Sequence, residues 1–345
     1  MTSRWWRVAA ALLASVPASL AGAQPVRPAE ARAALDARID QLGRGFAGTV
    51  GIAVKSVDDG WRVGWNENEL CPQQSVSKFW VALTLMDRVD QGRVSLDDRV
   101  TLTREDLTLF HQPIAARILG QGAATTSVGE LLFDAITKSD NTANDKLMRV
   151  AGGPSAVRAY IDKHRLGAIR FYEGERALQS KIAGLIWSQN YSIGDAFYKA
   201  RNALPMKVRQ AAFDRYLKDP YDGASAGAIV DALAKLKRGE LLSPASTARL
   251  LSIMGNTKTG ANRLKGGLKS GWTLSHKTGT GQILGPTQAG YNDIGILTAP
   301  DGSSYTVAVM IKKTATPLPV RMALMNNVVR ATIAAHEARR GMPTL

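Results

Sequence analysis

Apolar residues recur at Ala31, Leu35, Ile39 and Leu42, a spacing near 3.6 that predicts an amphipathic helix over residues 28–42. Past Gly45 the period changes. Thr49-Val-Gly-Ile-Ala-Val-Lys55 and Trp61-Arg-Val-Gly-Trp65 are β-branched and aromatic runs on either side of Asp58-Asp-Gly60, which predicts a hairpin. From Ser75 to about Asn256 helical periods dominate, over 78–91, 127–137, 142–151, 153–164 and 226–237. Strand-like text returns at 271–277, 291–298 and 304–311, and a last helix is expected over 321–339. Strands and helices at both ends of the chain, enclosing a helical middle, predict an α/β (α+β) architecture. An antiparallel sheet is flanked by terminal helices, and an all-helical lobe is inserted. The expected division is a sheet half, residues 24–74 and 257–345, and an all-helical half, residues 75–256. A cleft between them is the default place for a site.

Residues 1–23 stand apart from this pattern. Arg4 and Arg7 precede the apolar Val8-Ala-Ala-Ala-Leu-Leu-Ala-Ser-Val16, and Ala21-Gly22-Ala23 offers an A-x-A cleavage site, so a secretory signal peptide is expected. The apolar run is short and Pro17 interrupts it, which argues against a membrane anchor. A periplasmic or secreted protein without stable membrane insertion follows. Its 345 residues are 45% hydrophobic and 21% charged, the balance of a folded globular chain. The formal charge of +15 becomes +13 once Arg4 and Arg7 are removed. The basic residues are dispersed and show no aromatic interleaving, so no nucleic-acid partner is expected. Cys71 is the sole cysteine, which excludes an intramolecular disulfide and a multi-cysteine metal site and reads as a small buried hydrophobe. Four histidines without ligand spacing make a protein-only zinc site improbable, so neither metal nor cofactor is expected.

Three short motifs carry chemistry. Ser75-Val76-Ser77-Lys78 opens a predicted helix, and a spacing of three puts the hydroxyl and the amine on one face. A serine hydroxyl needs a neighbouring base to become a nucleophile, and a helix N-terminus adds backbone N–H groups facing the reacting carbonyl. Taken alone, this text is the ordinary one of a helix cap with a surface lysine. Ser139-Asp140-Asn141 follows a helical stretch. Ser139 can relay a proton, and the Asn141 amide can orient a lysine and bind a carbonyl, although the same residues make ordinary turns. Lys277-Thr278-Gly279-Thr280-Gly281 ends a strand, with glycines for close approach and a cation and hydroxyl for an anionic group.

In this order and context the three motifs resemble those of the class A serine β-lactamases, over roughly residues 28–339. The resemblance implies the fold shared by β-lactamases and penicillin-binding transpeptidases, a β-lactam as the small-molecule substrate, and a monomer. It implies that Ser75 attacks the lactam carbonyl, with Lys78 as its base. The N–H groups of Ser75 and Thr280 would form the oxyanion hole. Lys277, Thr278 and Ser139 would hold the substrate carboxylate and pass protons, and Asn141 and Gly279 would line the site.

Deacylation in that family uses a glutamate of the omega loop. Glu175-Arg176-Ala177-Leu178-Gln179 matches its place, with Gln179 where the family has asparagine; Glu173 is a rival. The loop, about residues 170–222, is longer than the family's ordinary one if Asp222 closes it. The extra text, 182–217, is expected to run helically along the cleft rim, either widening the site or displacing Glu175. The anion-binding arginine is absent from Tyr291-Asn-Asp-Ile-Gly-Ile-Leu297, and Arg263 matches the alternative place, with Lys265 as rival. Phe110 resembles an aromatic gate, with a core position as the other reading. Two further functions stay open at this level. One is a D-alanyl-D-alanine carboxypeptidase or other penicillin-binding protein, which the glutamate argues against. The other is a silent cell-wall binding protein, which intact Ser75 and Lys78 argue against.

Overall fold

The computed structural model describes residues 26–341, so the targeting segment read over residues 1–23 lies outside the described residues. The chain begins with α1 (Pro28–Arg44), β1 (Gly48–Ser56), β2 (Arg62–Trp65), β3 (Cys71–Pro72) and α2 (Lys78–Asp90). It continues through β4 (Arg99–Thr103), α3 (Ala115–Gln121), β5 (Ala123–Ser127), α4 (Val128–Phe133), α5 (Asn141–Val150), α6 (Gly153–Lys163) and α7 (Glu175–Ile182). Then come α8 (Ala196–Ala203), α9 (Met206–Lys218), β6 (Gly223–Ala224), α10 (Ala226–Lys237) and α11 (Pro244–Gly255). The last elements are β7 (Thr273–Thr280), β8 (Ile283–Leu284), β9 (Thr287–Thr298), β10 (Ser304–Thr314) and α12 (Leu318–Arg339).

The sheet runs β2-β1-β10-β9-β7, with β8 paired to β9, and every pairing is antiparallel. Alternation along the strands sorts side chains between two cores. Val50, Ile52, Val54, Val307, Val309 and Ile311 pack with Leu35 and Ile39 of α1 and Met325, Val328 and Val329 of α12. The opposite face turns Ala53, Ala308, Met310, Ile294 and Ile296 toward α10 and the helical lobe, in one core with Ile229, Val230 and Leu233. At the centre of the lobe α2 is buried all round, from Lys78 through Met86. A helix with no solvent face is held on every side, and the residues at its start inherit that rigidity.

Three expectations are corrected. The middle of the chain is not all-helical, because β4 and β5 form a ribbon. Their text is rich in β-branched residues, and Thr101 and Thr125 share a cross-strand hydroxyl hydrogen bond of 2.9 Å. The helix expected over 127–137 stops being α-helical at Phe133 and continues as a π turn over Asp134–Lys138. Ser75 sits in a 3-10 turn, Gln74–Ser77, that runs into α2. Preceding it, Gln74 has φ +55°, a left-handed conformation that a tightly held turn imposes on a residue with a side chain.

Within the inserted residues 182–217, α8 and α9 are helical, as expected, whereas the stretch 183–195 runs as turns and one 3-10 turn, Gln189–Ser192. Phe197 of α8 packs with Leu109 and Ala183. Phe213 and Tyr216 of α9 pack with Leu178 and Ile182 of α7 and with Ala289 of β9. The insertion is therefore anchored to both walls of the cleft rather than hanging from its rim.

Candidate active site

The i, i+3 spacing brings Lys78 Nζ to 2.6 Å from Ser75 Oγ. The same ammonium donates to Asn141 Oδ1 at 2.8 Å and to Glu175 Oε1. An ammonium has three protons to give, and all three have acceptors here, although Lys78 has no solvent exposure. Asn141 is fixed in turn: its Nδ2 donates to the Leu109 carbonyl at 2.8 Å, and Asp140 caps α5 by accepting from Ala143 N at 2.9 Å. Asn292 Nδ2 ties down the chain before the nucleophile, donating to the Pro72 carbonyl at 2.7 Å. A Cβ on Gly279 would lie 2.3 Å from the Gln73 carbonyl, so only glycine lets β7 approach the serine turn this closely.

The second motif follows the π turn. Ser139 has φ +61°, which turns its hydroxyl toward β7, where Lys277 Nζ donates to it at 2.9 Å and to the Thr278 carbonyl at 2.9 Å. Burial, and then the charge of Lys78, pull the Lys277 ammonium well below the usual lysine range. Thr278 and Thr259 share a hydroxyl hydrogen bond of 2.7 Å. Arg263 lies under the end of β7. It donates to the carbonyls of Gly279 and Asn292 at 3.0 and 2.7 Å and to Thr280 Oγ1 at 2.5 Å, and its guanidinium stacks 3.9 Å over the Tyr291 ring. Lys265, its rival, is exposed and does not border the cleft.

Glu175 is buried at the first turn of α7. Its N–H donates to Asp145 Oδ1 at 3.0 Å, Oε1 meets Lys78, and Oε2 accepts from Gln179 Nε2 at 3.3 Å. Glu173 is exposed and pairs with Arg158, so it takes no part. Burial, and then the Glu175 charge, raise the Asp145 carboxyl to about 6. Gln179 also donates to Gln74 Oε1 at 2.9 Å and accepts from Gln282 at 3.0 Å. Gln74 Nε2 donates to Tyr216 Oη at 2.6 Å, the Tyr216 hydroxyl donates to Asp222 Oδ1 at 2.8 Å, and Asp222 Oδ2 accepts from Gln74 N at 2.7 Å. A buried network thus runs from Glu175 into the inserted helix α9.

Asp145, Gln74, His111, Tyr216, Gln282, Asn292 and Thr259 are site residues that the sequence analysis did not single out. Asp145 had a signal, since it lies four residues after Asn141 on one helix face. Tyr216 had none.

Asp222 makes this network sensitive to pH. Burial raises its carboxyl to about 6 from 3.8, against the pull of Tyr216 and the Gln74 N–H. The folded state holds that proton more tightly than the unfolded chain. The resulting stability is fully present below pH 3.8 and is lost as pH rises through about 6. Urea unfolding of the native protein and Asp222→Asn checks this. The advantage of aspartate over asparagine should grow by about 2 kcal/mol between pH 7 and pH 4; a constant difference would refute it.

These side chains surround a cleft of about 260 Å³, lined by Ser75, Phe110, His111, Ser139, Asn141, Glu175, Gln179, Thr259, Arg263, Thr278 and Thr280. Phe110 forms its outer edge, 38% exposed and packed edge-to-face on Phe197 at 5.0 Å. A larger hollow of about 680 Å³ beside the π turn holds none of these residues. Arg263 borders the cleft beside Thr278 and Thr280, a cation and two hydroxyls to which an anionic ligand can bind.

Residues 34–336 match the β-lactamase enzyme family. The extended-spectrum β-lactamase PER-1 of Pseudomonas aeruginosa is 31% identical over 282 residues, which is 81% of this chain and 80% of that protein. A β-lactamase of Bacteroides uniformis is 29% identical over 280 residues, 80% of this chain and 82% of its own. The crystal structure of a β-lactamase from Chitinophaga pinensis DSM 2588 superposes with a TM-score of 0.71 at 26% identity, covering 86% of this chain and 97% of that one. An ancestral class A β-lactamase structure superposes at 0.69 with 29% identity, over 87% of this chain and 98% of that one. These matches take in most of both partners and agree with the resemblance carried by the three motifs: the chain belongs to the β-lactamase enzyme family, in its class A serine branch.

Proposed function

We propose that this β-lactamase opens the lactam amide by acylating Ser75 and releases the product with a water directed by Glu175. Lys78 first gives a proton to the Glu175 carboxylate it touches, and the neutral amine then takes the Ser75 proton as Oγ attacks the carbonyl carbon. The N–H groups of Ser75 and Thr280 receive the oxyanion. The ring C–N bond then breaks, Ser139, beside Lys277, passes the proton gained by Lys78 to the leaving nitrogen, and Glu175 returns its proton to Lys78. Thr278, Thr280 and Arg263 hold the ring carboxylate, Asn141 receives the side-chain amide, and Gly279 keeps the strand edge open. In the second half of the cycle Glu175 takes a proton from water, which attacks the ester; the acyl C–Oγ bond breaks, Ser75 regains a proton by way of Lys78, and Gln179 orients the carboxylate. Phe110 walls the mouth of the cleft.

The observation that carries this reading is Lys78 Nζ, held between Ser75 Oγ and Glu175 Oε1. One buried cation in contact with both the nucleophile and the carboxylate supports a role for each residue in a single proton path. It also favours the view that the enlarged loop extends the site and leaves Glu175 in place. The cleft is read as the junction of the sheet half, 24–74 and 257–345, with the largely helical half, 75–256. We place the protein, as a monomer, in the periplasm or outside the cell. The signal-like text of residues 1–23 supports this, and among the described residues no helix is long and apolar enough to cross a membrane.

Hydrolysis of a chromogenic cephalosporin and of benzylpenicillin tests the proposal. The native protein should turn both over many times, and Ser75→Ala should lose at least about 10³-fold of that rate. A single stoichiometric burst without turnover would instead mark a penicillin-binding protein.

A further inference from the structure

A second hollow, of about 390 Å³, opens between α8 and the end of β7. Phe110, Gln179 and Thr280 line both this hollow and the cleft that holds Ser75, so the two are continuous. Its far wall belongs to the insertion. Tyr198 and Arg201 sit three apart on one face of α8, with the guanidinium 5.2 Å from the centre of the tyrosine ring. Arg209, on α9, borders a recess at the back together with Arg201 and Gln282.

Neither arginine is neutralised in the way a half-buried cation ordinarily is. The Nε atoms of both are buried without a hydrogen-bond partner. Among the described residues no carboxylate forms an ion pair with Arg201, and the cation that acts on it is Arg209. Burial, and then Arg209, lower the pKa of Arg201. Arg201, partly desolvated on the wall of the hollow with the cation Arg209 behind it, costs free energy until an anion joins it. The bidentate geometry of a guanidinium matches a carboxylate.

We propose that Arg201, backed by Arg209, binds a carboxylate carried on the acyl side chain of the substrate. This anion is distinct from the ring carboxylate assigned above to Thr278, Thr280 and Arg263. The inference rests on the reading of the cleft as a β-lactam site. The insertion then sets specificity: it favours substrates with two anionic ends over those with one.

The test uses two cephalosporins that differ only in the side-chain oxime ether, methyl in one and carboxyalkyl in the other. In the native protein kcat/KM should favour the carboxyalkyl compound, and Arg201→Gln should reduce that preference about tenfold while leaving the methyl ether within about twofold. Arg201→Lys should retain part of the preference, and Arg209→Gln should lose less of it than Arg201→Gln. Equal losses on both substrates would overturn the proposal, as would a preference unchanged by Arg201→Gln. Calorimetric binding of the same pair to Ser75→Ala, with and without Arg201→Gln, separates the two ideas. A carboxylate preference in binding that depends on Arg201, together with no hydrolysis of either compound by the native protein, would sustain the subsite and reject the hydrolytic reading. Hydrolysis of both without that preference would do the reverse.

Discussion

Glu175→Gln should still acylate and should release its product roughly 10²–10⁴-fold more slowly, the contribution of a positioned general base. The amide keeps the shape of the carboxylate but cannot accept a proton from water. It also has only one acceptor for two donors, because Lys78 Nζ and Gln179 Nε2 both give hydrogen bonds to Glu175 in the native site. One of them then faces an NH₂ group, which should lower stability by about 1–3 kcal/mol. Stopped-flow mixing with a chromogenic cephalosporin separates the two steps as a burst of one equivalent followed by a slow steady phase. An unchanged steady rate would remove Glu175 from deacylation, and loss of the burst would make acylation the step that depends on it most.

Lys78→Met should lose the burst itself, by roughly 10³–10⁴-fold, since the base beside Ser75 is gone. The stability effect is as informative as the kinetic one. Among the described residues Lys78 is the only cation that contacts the Glu175 carboxylate, and both side chains are buried. Removing it leaves a carboxylate in a low-dielectric site without a counter-charge, a loss of about 3–5 kcal/mol at neutral pH. In the variant Glu175 should therefore bind a proton more readily folded than unfolded. The lost stability should return as pH falls, because the protonated acid carries no charge to compensate. Urea unfolding at pH 7 and pH 5 measures this, and a pH-independent deficit would contradict the pairing.

The parts of the site that were legible in the sequence are those set by local spacing. Ser75 and Lys78 meet because they are three apart on a helical turn, and Ser139, Asn141, Lys277 and Thr278 were picked out as compact motifs. Glu175 and Arg263 were legible only through likeness to a family, since a lone glutamate in a loop and a lone arginine before a strand have no local signature. What escaped the sequence is long-range. Gln74 meets Tyr216 and Asp222 across separations of 142 and 148 residues, and nothing in the text around Tyr216 distinguishes it from the other aromatic residues of the insertion. The π turn before Ser139 escaped because one helical period continues unbroken through the apolar residues there; the widening shows only in the hydrogen bonding. The β4–β5 ribbon was lost inside a stretch read as helical, although its run of threonines and valine is a strand signal at short range.

The central claim is a covalent intermediate on Ser75. It is tested most directly by quenching the native enzyme with acid within milliseconds of mixing with a slowly hydrolysed cephalosporin, followed by intact mass measurement and peptide mapping. The account requires a transient adduct of substrate mass on the peptide that contains Ser75, decaying at the rate of turnover and missing from Ser75→Ala. Turnover without an adduct, or an adduct on any other residue, would contradict it.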